Sequence, residues 1–364
     1  MISRLVEWAL TQRLLVVLGA LGIVGGGYLA VQGLAVDAFP DVSPVLVQVT
    51  TESPGLAPPE VEALVTYPVE VAMNGLPGVT RIQSISAFGL SQVSVYFRDE
   101  VDIYFARQLV FERLESARDA IPAGLGDPAL GPVTTGLGQV YQYLIVGEGL
   151  SLDSLRTIQD WVVKPQLRAV PGVTEVLSFG GHVKQFQVQL DPNRLVQYGV
   201  TVEEVIGALE RNNANAGGGF IVRSPEEYLV RGLGFVTSLE DIGTVIVAER
   251  ENTPVYVRNV GRVAIGAEVR RGAVSVNGEG EAVAGIVLKR IYENTSSVIE
   301  GVRAQVKVIN AAMPPGVRLA PFYDQADLVD RAVATVRDAL LEGGALILLV
   351  LLLFLGNLRS ALIV

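Results

Sequence analysis

The stretch Val93-Ser94-Val95-Tyr96-Phe97-Arg98-Asp99-Glu100-Val101-Asp102-Ile103, continued by YFARQLVFERLESARDAI to Ile121, changes its hydrophobic period within a dozen residues. Val93, Val95 and Phe97 alternate with Ser94, Tyr96 and Arg98, the period of a strand with one wet face. From Ile103 onward Ala106, Val110, Leu114, Ala117 and Ile121 step by three and four, a helical stripe that Asp102 is placed to cap and Pro122 and Gly124 to end. Upstream, Val45, Val47 and Val49 alternate with Leu46 and Gln48 as another strand. Pro59 then opens a helical segment through Met73, in which Pro68 predicts a kink because proline removes a backbone donor. With a strand at Val140 to Val146 the order is the split βαβ of a ferredoxin-like domain, and the expected class is α+β.

Part of this unit recurs. Leu76-Pro77-Gly78-Val79-Thr80 follows the first helix and leads into a strand; Val170-Pro171-Gly172-Val173-Thr174 does the same after the helix from Asp153 to Leu167, 171 − 77 = 94 residues later. Pro315-Gly316-Val317 closes a third helix, whose start is read as a capping box of Ser297 with Glu300. A duplicated helix, turn and strand is the expectation.

Between the copies the pattern breaks. Phe186, Val188 and Leu190 alternate with Gln185, Gln187 and Gln189, and Thr201 with Glu204 caps a helix through Leu209. Then comes Asn212-Asn213-Ala214-Asn215-Ala216-Gly217-Gly218-Gly219, followed by strand-like pieces around Phe220 to Val222 and Glu227 to Val230. Such a polar, glycine-rich segment reads either as a solvated hairpin loop or as an arm that orders on docking to another subunit.

The chain has 364 residues, 50% hydrophobic and 18% charged, and a formal net charge of −10. Its apolar excess sits at the two ends. Leu14 to Val31 carries no charge and as a helix would span roughly 27 Å of a ~30 Å hydrocarbon core. A signal peptide is the rival reading, but its apolar core is about 7–15 residues. Ala345 to Leu355 has no polar side chain. Arg4 and Arg13 flank the first stretch and Arg359 the second, which places both ends in the cytoplasm and the intervening body on the far side, the periplasm in a two-membrane bacterium. Ala361 to Val364 begins another apolar run, as if a further membrane helix were cut short.

Chemistry is mostly excluded. No cysteine and one histidine, His182, leave neither a thiolate site nor a multi-histidine zinc site. No Gly-Lys pair exists to cradle a phosphate. The acidic balance, with four lysines, argues against nucleic acid as a partner. Carboxylate neighbours such as Glu60 with Glu62 and Glu203 with Glu204 read as solvated faces, and His182 as surface or structural. Met73 reads as core, with a cleft position as the other possibility. No catalytic, metal or cofactor residue is assigned.

The runs Phe39-Pro40-Asp41, Ser53-Pro54-Gly55, Val65-Thr66-Tyr67-Pro68-Val69-Glu70, Gly75-Leu76-Pro77-Gly78-Val79, Phe88-Gly89-Leu90-Ser91-Gln92-Val93 and Asp102-Ile103-Tyr104-Phe105-Ala106-Arg107-Gln108-Leu109 resemble the N-terminal part of resistance-nodulation-division efflux pumps, in particular their heavy-metal branch. Arg270-Arg271-Gly272, Asn277-Gly278-Glu279-Gly280, Tyr323-Asp324 with Leu328 to Ala332, and Phe354-Leu355-Gly356-Asn357-Leu358-Arg359-Ser360-Ala361-Leu362 extend the resemblance over nearly the whole chain.

The resemblance implies a multi-pass inner-membrane proton antiporter rather than an enzyme. It would work as a homotrimer with a periplasmic adaptor and an outer-membrane channel, embedded in the lipid bilayer and exporting heavy-metal cations. It implies a first transmembrane helix with its flanks in 1–35 and one porter subdomain in 36–133. A second porter subdomain would lie in 134–181 and 262–325, a docking subdomain in 182–261, and the second transmembrane helix with the start of a third in 326–364. Asn212, Asn213, Asn215, Gly217, Gly218 and Gly219 fall at the family's intersubunit arm, and Pro68 at a porter helix. The proton-carrying carboxylates and metal-binding methionines would lie beyond this chain, leaving it inactive alone. A drug-exporting pump of the same superfamily and a non-transporting, membrane-tethered periplasmic scaffold are the alternatives.

Overall fold

The structure is a computed structural model that describes residues 11–32, 43–250, 252–270, 272–278 and 280–357. Arg4, Phe39-Pro40-Asp41, Arg359 and the run Ala361 to Val364 lie outside the described residues. The chain divides into two units, one of Met1–Val146, Val163–Ser178 and Ala284–Val364, the other of Gly147–Val162 and Phe179–Val283.

The first unit opens with helix α1 (Arg13–Gln32). Strand β1 (Leu46–Glu52) leads into a helical run α2 over 58–73, then β2 (Val79–Ala87), β3 (Leu90–Phe97), α3 (Ile103–Ala120) and a two-residue β4 (Ala129–Leu130). The sheet order is β2-β3-β1-β4, and each neighbouring pair is antiparallel. This is the split βαβ arrangement. Its closing strand is β4 and not the expected Val140 to Val146: a two-residue strand beside Pro128 and Gly131 is too short to show a period, so the stronger pattern downstream drew the assignment. Val47, Val49, Val93, Val95 and Phe97 from the sheet meet Val69, Met73, Ala106, Val110 and Leu114 from the helices in one buried core. Met73 is therefore core.

The strand at 140–146 belongs to β5 (Gln139–Gly147), which begins a second sheet. A helical run α4 over 152–168 and β6 (Val173–Gly180) follow, and the sheet is completed much later in the chain by β14 (Glu281–Lys289), α9 (Thr295–Ala312) and β15 (Val317–Asp324). Strand β14 pairs with β5 and with β6, and β5 pairs with β15. Apart from a two-residue strand at Val274–Ser275 that also pairs with β14, the order β6-β14-β5-β15 repeats the first sheet, with a long insertion between its second and third strands. Helix α9 starts at Asn294, whose side chain accepts from the Ser297 backbone N–H, so the expected Ser297 cap is corrected by three residues. Helix α10 (Gln325–Leu355) closes the described chain.

The insertion forms most of the second unit. It contains β7 (Lys184–Leu190), α5 (Pro192–Tyr198), α6 (Val202–Asn212), β8 (Ala216–Arg223), β9 (Glu226–Gly232), α7 (Leu239–Gly243), β10 (Ile246–Arg250), β11 (Thr253–Tyr256), α8 (Val257–Val260), β12 (Gly261–Ala267) and the short β13 (Val274–Ser275). Strand β12 pairs antiparallel with β7 from Gly261↔Leu190 to Ala267↔Lys184, so residues 262–267, expected in the second porter subdomain, complete a ribbon with the insertion. Val200, Val205, Ala208, Ile242, Val247, Val255 and Val257 build a separate small core.

Among the described residues no helix is long and apolar enough to cross a membrane. In α10, Arg337, Asp338 and Glu342 interrupt the apolar surface.

Candidate functional site

The arm predicted at 212–219 is the base and first strand of a hairpin. Thr201 and Glu204 form the expected capping box, with Glu204 Oε2 accepting from the Thr201 N–H at 2.8 Å and Thr201 Oγ1 accepting from the Glu204 N–H at 3.2 Å. The bond from the Thr201 N–H, together with Arg250, holds the Glu204 carboxyl below its ordinary range. The helix runs three residues past the expected end, to Asn212, whose amide donates to Ala208 O at 2.8 Å. Asn213 Oδ1 then accepts from the Val236 N–H, and Asn215 Oδ1 accepts from Gly234 and Phe235. The asparagines therefore staple the two legs of the hairpin rather than projecting from its tip.

Gly217, Gly218 and Gly219 lie in β8, where the register against β9 shifts between Gly217 and Phe220. Gly219 has φ +76°, a left-handed conformation that suits glycine at a bulge. Beyond it Phe220 faces Leu229 and Ile221 faces Tyr228 across the ribbon. Every residue of β8 and β9 is exposed, Phe220 by 66% and Val222 by 74%. A two-stranded ribbon without a core beneath it is marginally stable in water, and this one leaves Phe220, Ile221, Val222, Tyr228 and Leu229 uncovered.

Pro68 sits at the second position of the helical segment Tyr67–Met73, immediately after a π-helical turn Glu62–Thr66 in which the Tyr67 N–H bonds Glu62 O. Proline lacks an N–H, and its ring would crowd the carbonyl four residues back; the widened turn accommodates both. The turn is pinned by buried Thr66, whose Oγ1 bonds Ser86 Oγ at 2.8 Å and Ser91 Oγ at 2.7 Å. Helix α4 repeats the device: a π turn Gln159–Val163 precedes Pro165, again two residues beyond the turn. Sequence reading missed Pro165. The spacing 165 − 68 = 97, beside 94 for the Pro-Gly turns, was the available signal.

A third feature was not foreseen. Where β15 passes into α10, Asp324 Oδ1 accepts from the Ala326 N–H, and its Oδ2 lies 2.6 Å from Arg303 Nε on α9. Arg303 Nη2 reaches Asp327 Oδ1 at 2.8 Å. The hydrogen bond to Asp324 raises the Arg303 guanidinium above its ordinary value. Beside this fork Tyr141 is buried, and burial foremost, with the two carboxylates, pushes its phenol up to about 12. A cavity of about 450 Å³ lies here, lined by Tyr141, Arg303, Lys307, Phe322 and Asp324.

Among the described residues no group of three or more His, Asp or Glu side chains could hold a metal ion. The buried Nδ1 of His182 has no hydrogen-bond partner among the described residues.

A cation efflux system protein CzcA from Alcaligenes sp. (strain CT14) is 46% identical over 372 residues, covering 100% of this chain and 35% of the relative. The cation efflux system protein CusA of Escherichia coli (strain K12) is 40% identical over 366 residues, with 100% and 35% covered. A crystal structure of a heavy metal efflux pump superposes with a TM-score of 0.92 at 37% identity, over 99% of this chain and 36% of that one. The chain thus spans about a third of the length of these relatives. A protein-family model described as the AcrB/AcrD/AcrF family matches residues 5–364, and the chain belongs to that family.

Proposed function

We propose that the full-length protein to which these residues belong is a proton-driven exporter of heavy-metal cations. It resides in the bacterial inner membrane and acts as a homotrimer with a periplasmic adaptor and an outer-membrane channel. The observation that carries this reading is the fold match to a heavy metal efflux pump, TM-score 0.92 over 99% of the chain, joined to relatives named for cation efflux. Another relative, from Cupriavidus metallidurans, is named for cobalt, zinc and cadmium resistance.

In this reading α1 and the second half of α10 are lodged in the bilayer, supported by the exposure of Leu14 to Val24 and of Leu346 to Phe354, surface that water penalises and lipid does not. The two ferredoxin-like sheets are porter subdomains and the insertion a docking subdomain, with Val36 to Pro132 as the first. The β8–β9 arm reaches a neighbouring protomer, and the π turn before Pro68 bends a porter helix. These residues supply architecture; the proton relay and the cation ligands belong to the remainder of the protein. Proton entry would shift the porter subdomains between discrete states, expelling the cation outward.

The test is expression of the full-length gene in a metal-sensitive, efflux-deficient host. Zinc, cobalt and cadmium are compared with copper and silver and with a panel of amphiphilic drugs, and cell metal content is read out. Lower accumulation of one metal group supports the reading; drug resistance without metal resistance selects the drug branch, and no effect selects the scaffold. Because these residues contain no cysteine, single cysteines placed at exposed Tyr228 and read with a membrane-impermeant thiol reagent test the periplasmic placement directly.

A further inference from the structure

Helix α10 has 31 residues, roughly 46 Å at ~1.5 Å per residue, and among the described residues its buried side chains lie in its first turns. Gln325, Ala326 and Val329 are buried, and beyond Val329 no described side chain of α10 is. At that anchored end the Arg303 fork spans two positions of the first turn. Asp324, the N-cap, has a side chain only 12% exposed, whereas Asp327, one turn on, is 61% exposed. One carboxylate fixes where the helix starts and the other fixes its rotation about its axis. A planar guanidinium holds both at once through N–H groups in a fixed fork, a geometry that a rotatable ammonium on a flexible stem does not preset. Arg303 in turn sits on α9, whose Val302, Val306 and Ile309 are buried in the second subdomain. The route from helix to subdomain is therefore short and built of stiff parts.

We propose that Arg303 is a positioning residue: by gripping Asp324 and Asp327 it sets the angle at which α10 leaves the second sheet, so that displacement of the helix's apolar end reaches that subdomain as rigid-body movement. The inference rests on the transport reading above. Elements with two discrete placements, joined by packed side chains and charged hydrogen bonds, are the physical means by which distant sites are coupled. A helix held by its buried residues alone could swivel in its socket and dissipate the movement.

The experiment uses the full-length protein in proteoliposomes, with an imposed pH gradient and zinc alone as cargo. Wild type is compared with Arg303→Ala, Arg303→Lys and Asp327→Asn, reading kcat and KM for zinc, the fraction that is trimeric, and decay of the pH gradient with zinc omitted. Arg303→Ala is expected to lower kcat about tenfold with KM and trimer content unchanged, while the gradient still decays, and Arg303→Lys to recover part of the loss. An Arg303→Ala kcat within about twofold of wild type overturns the inference, as does a loss matched by KM or by the trimer fraction. Should Arg303→Ala fail to assemble, Asp327→Asn leaves the Asp324 bond and cap in place; roughly threefold lower kcat is expected, and an unchanged kcat overturns the inference. Wild type that moves neither zinc nor, in a parallel arm, copper overturns the transport reading and the inference with it. Variants that match an active wild type overturn the inference alone.

Discussion

Gly172 and Gly316 occupy the same turn in two of the three Pro-Gly-Val repeats, with φ of +84° and +85°, beside +81° at Gly78. Their surroundings differ. A Cβ at 172 would lie 2.5 Å from the Val298 side chain, whereas nothing stands within 4 Å at 316. Gly316→Ala should therefore show the left-handed penalty alone, about 1 kcal/mol, and Gly172→Ala that penalty plus displaced packing, about 2–3 kcal/mol. Denaturant unfolding of the two variants checks this, and equal losses would discount the contact with Val298. Thr66 is a second test. Thr66→Val keeps the shape but strips a hydroxyl bonded to Ser86 and Ser91, leaving Ser91 buried without that partner, so a loss of about 1–3 kcal/mol is expected in the same assay. Tyr141 gives a pH signature. Its phenol is raised from an ordinary 10.0 to about 12, so the protonated form is the one the fold favours. The associated stability is complete below the unfolded value and is drawn down as pH rises from 10 through about 12. The tyrosinate absorbance difference between wild type and Tyr141→Phe should stay flat below about pH 11; a step near pH 10 would place the ring in water.

Helix starts were legible where one side chain had no competitor. Asp102 was placed by the onset of the apolar stripe, and its carboxylate does accept from the Tyr104 and Phe105 N–H groups at 2.9 and 3.0 Å. Around residue 295 four candidates crowd together, Asn294, Thr295, Ser296 and Ser297, and sequence spacing to Glu300 chose the wrong one. The choice among them is made by burial: Thr295 is 1% exposed and already inside the packed helix, which leaves Asn294 to turn the chain. Asn294→Ala should cost about 1 kcal/mol and Ser297→Ala a few tenths, read as shifts in urea midpoint at constant slope; the reverse ranking would restore the Ser297 cap. The π turns were invisible for another reason. A proline tells where a donor is missing but not whether the chain bends, breaks or widens, and here buried Thr66 settles it through bonds to residues twenty and more positions away. Likewise β8 was obscured by Gly217 to Gly219, poor strand formers that the register shift across from β9 tolerates.

At the scale of the whole molecule, the two sheets share one strand order, β2-β3-β1-β4 and β6-β14-β5-β15, although the second is interrupted by the long insertion after β6. Recurrent turns exposed the duplication, but no local pattern can say that strands some seventy to eighty residues apart are neighbours, so the pairing of residues 262–267 with β7 was not legible in the sequence. The insertion has its own core, and within it the β8–β9 arm adds nothing to that core. Replacing Ala216–Gly232 by a two-glycine turn keeps the bonds of Asn213 to Val236 and of Asn215 to Gly234 and Phe235, so the base of the hairpin survives. Because every removed side chain is exposed, unfolding free energy should change by less than about 1 kcal/mol. If the arm docks on a neighbouring protomer of a trimer, the same deletion removes apolar contacts at each of the three interfaces. The crosslinked trimer should then give way to monomer at protein concentrations where wild type stays assembled, and metal resistance should fall with it. A deletion variant that remains trimeric would assign assembly to other surfaces, whereas one that unfolds would make the arm an integral part of the fold.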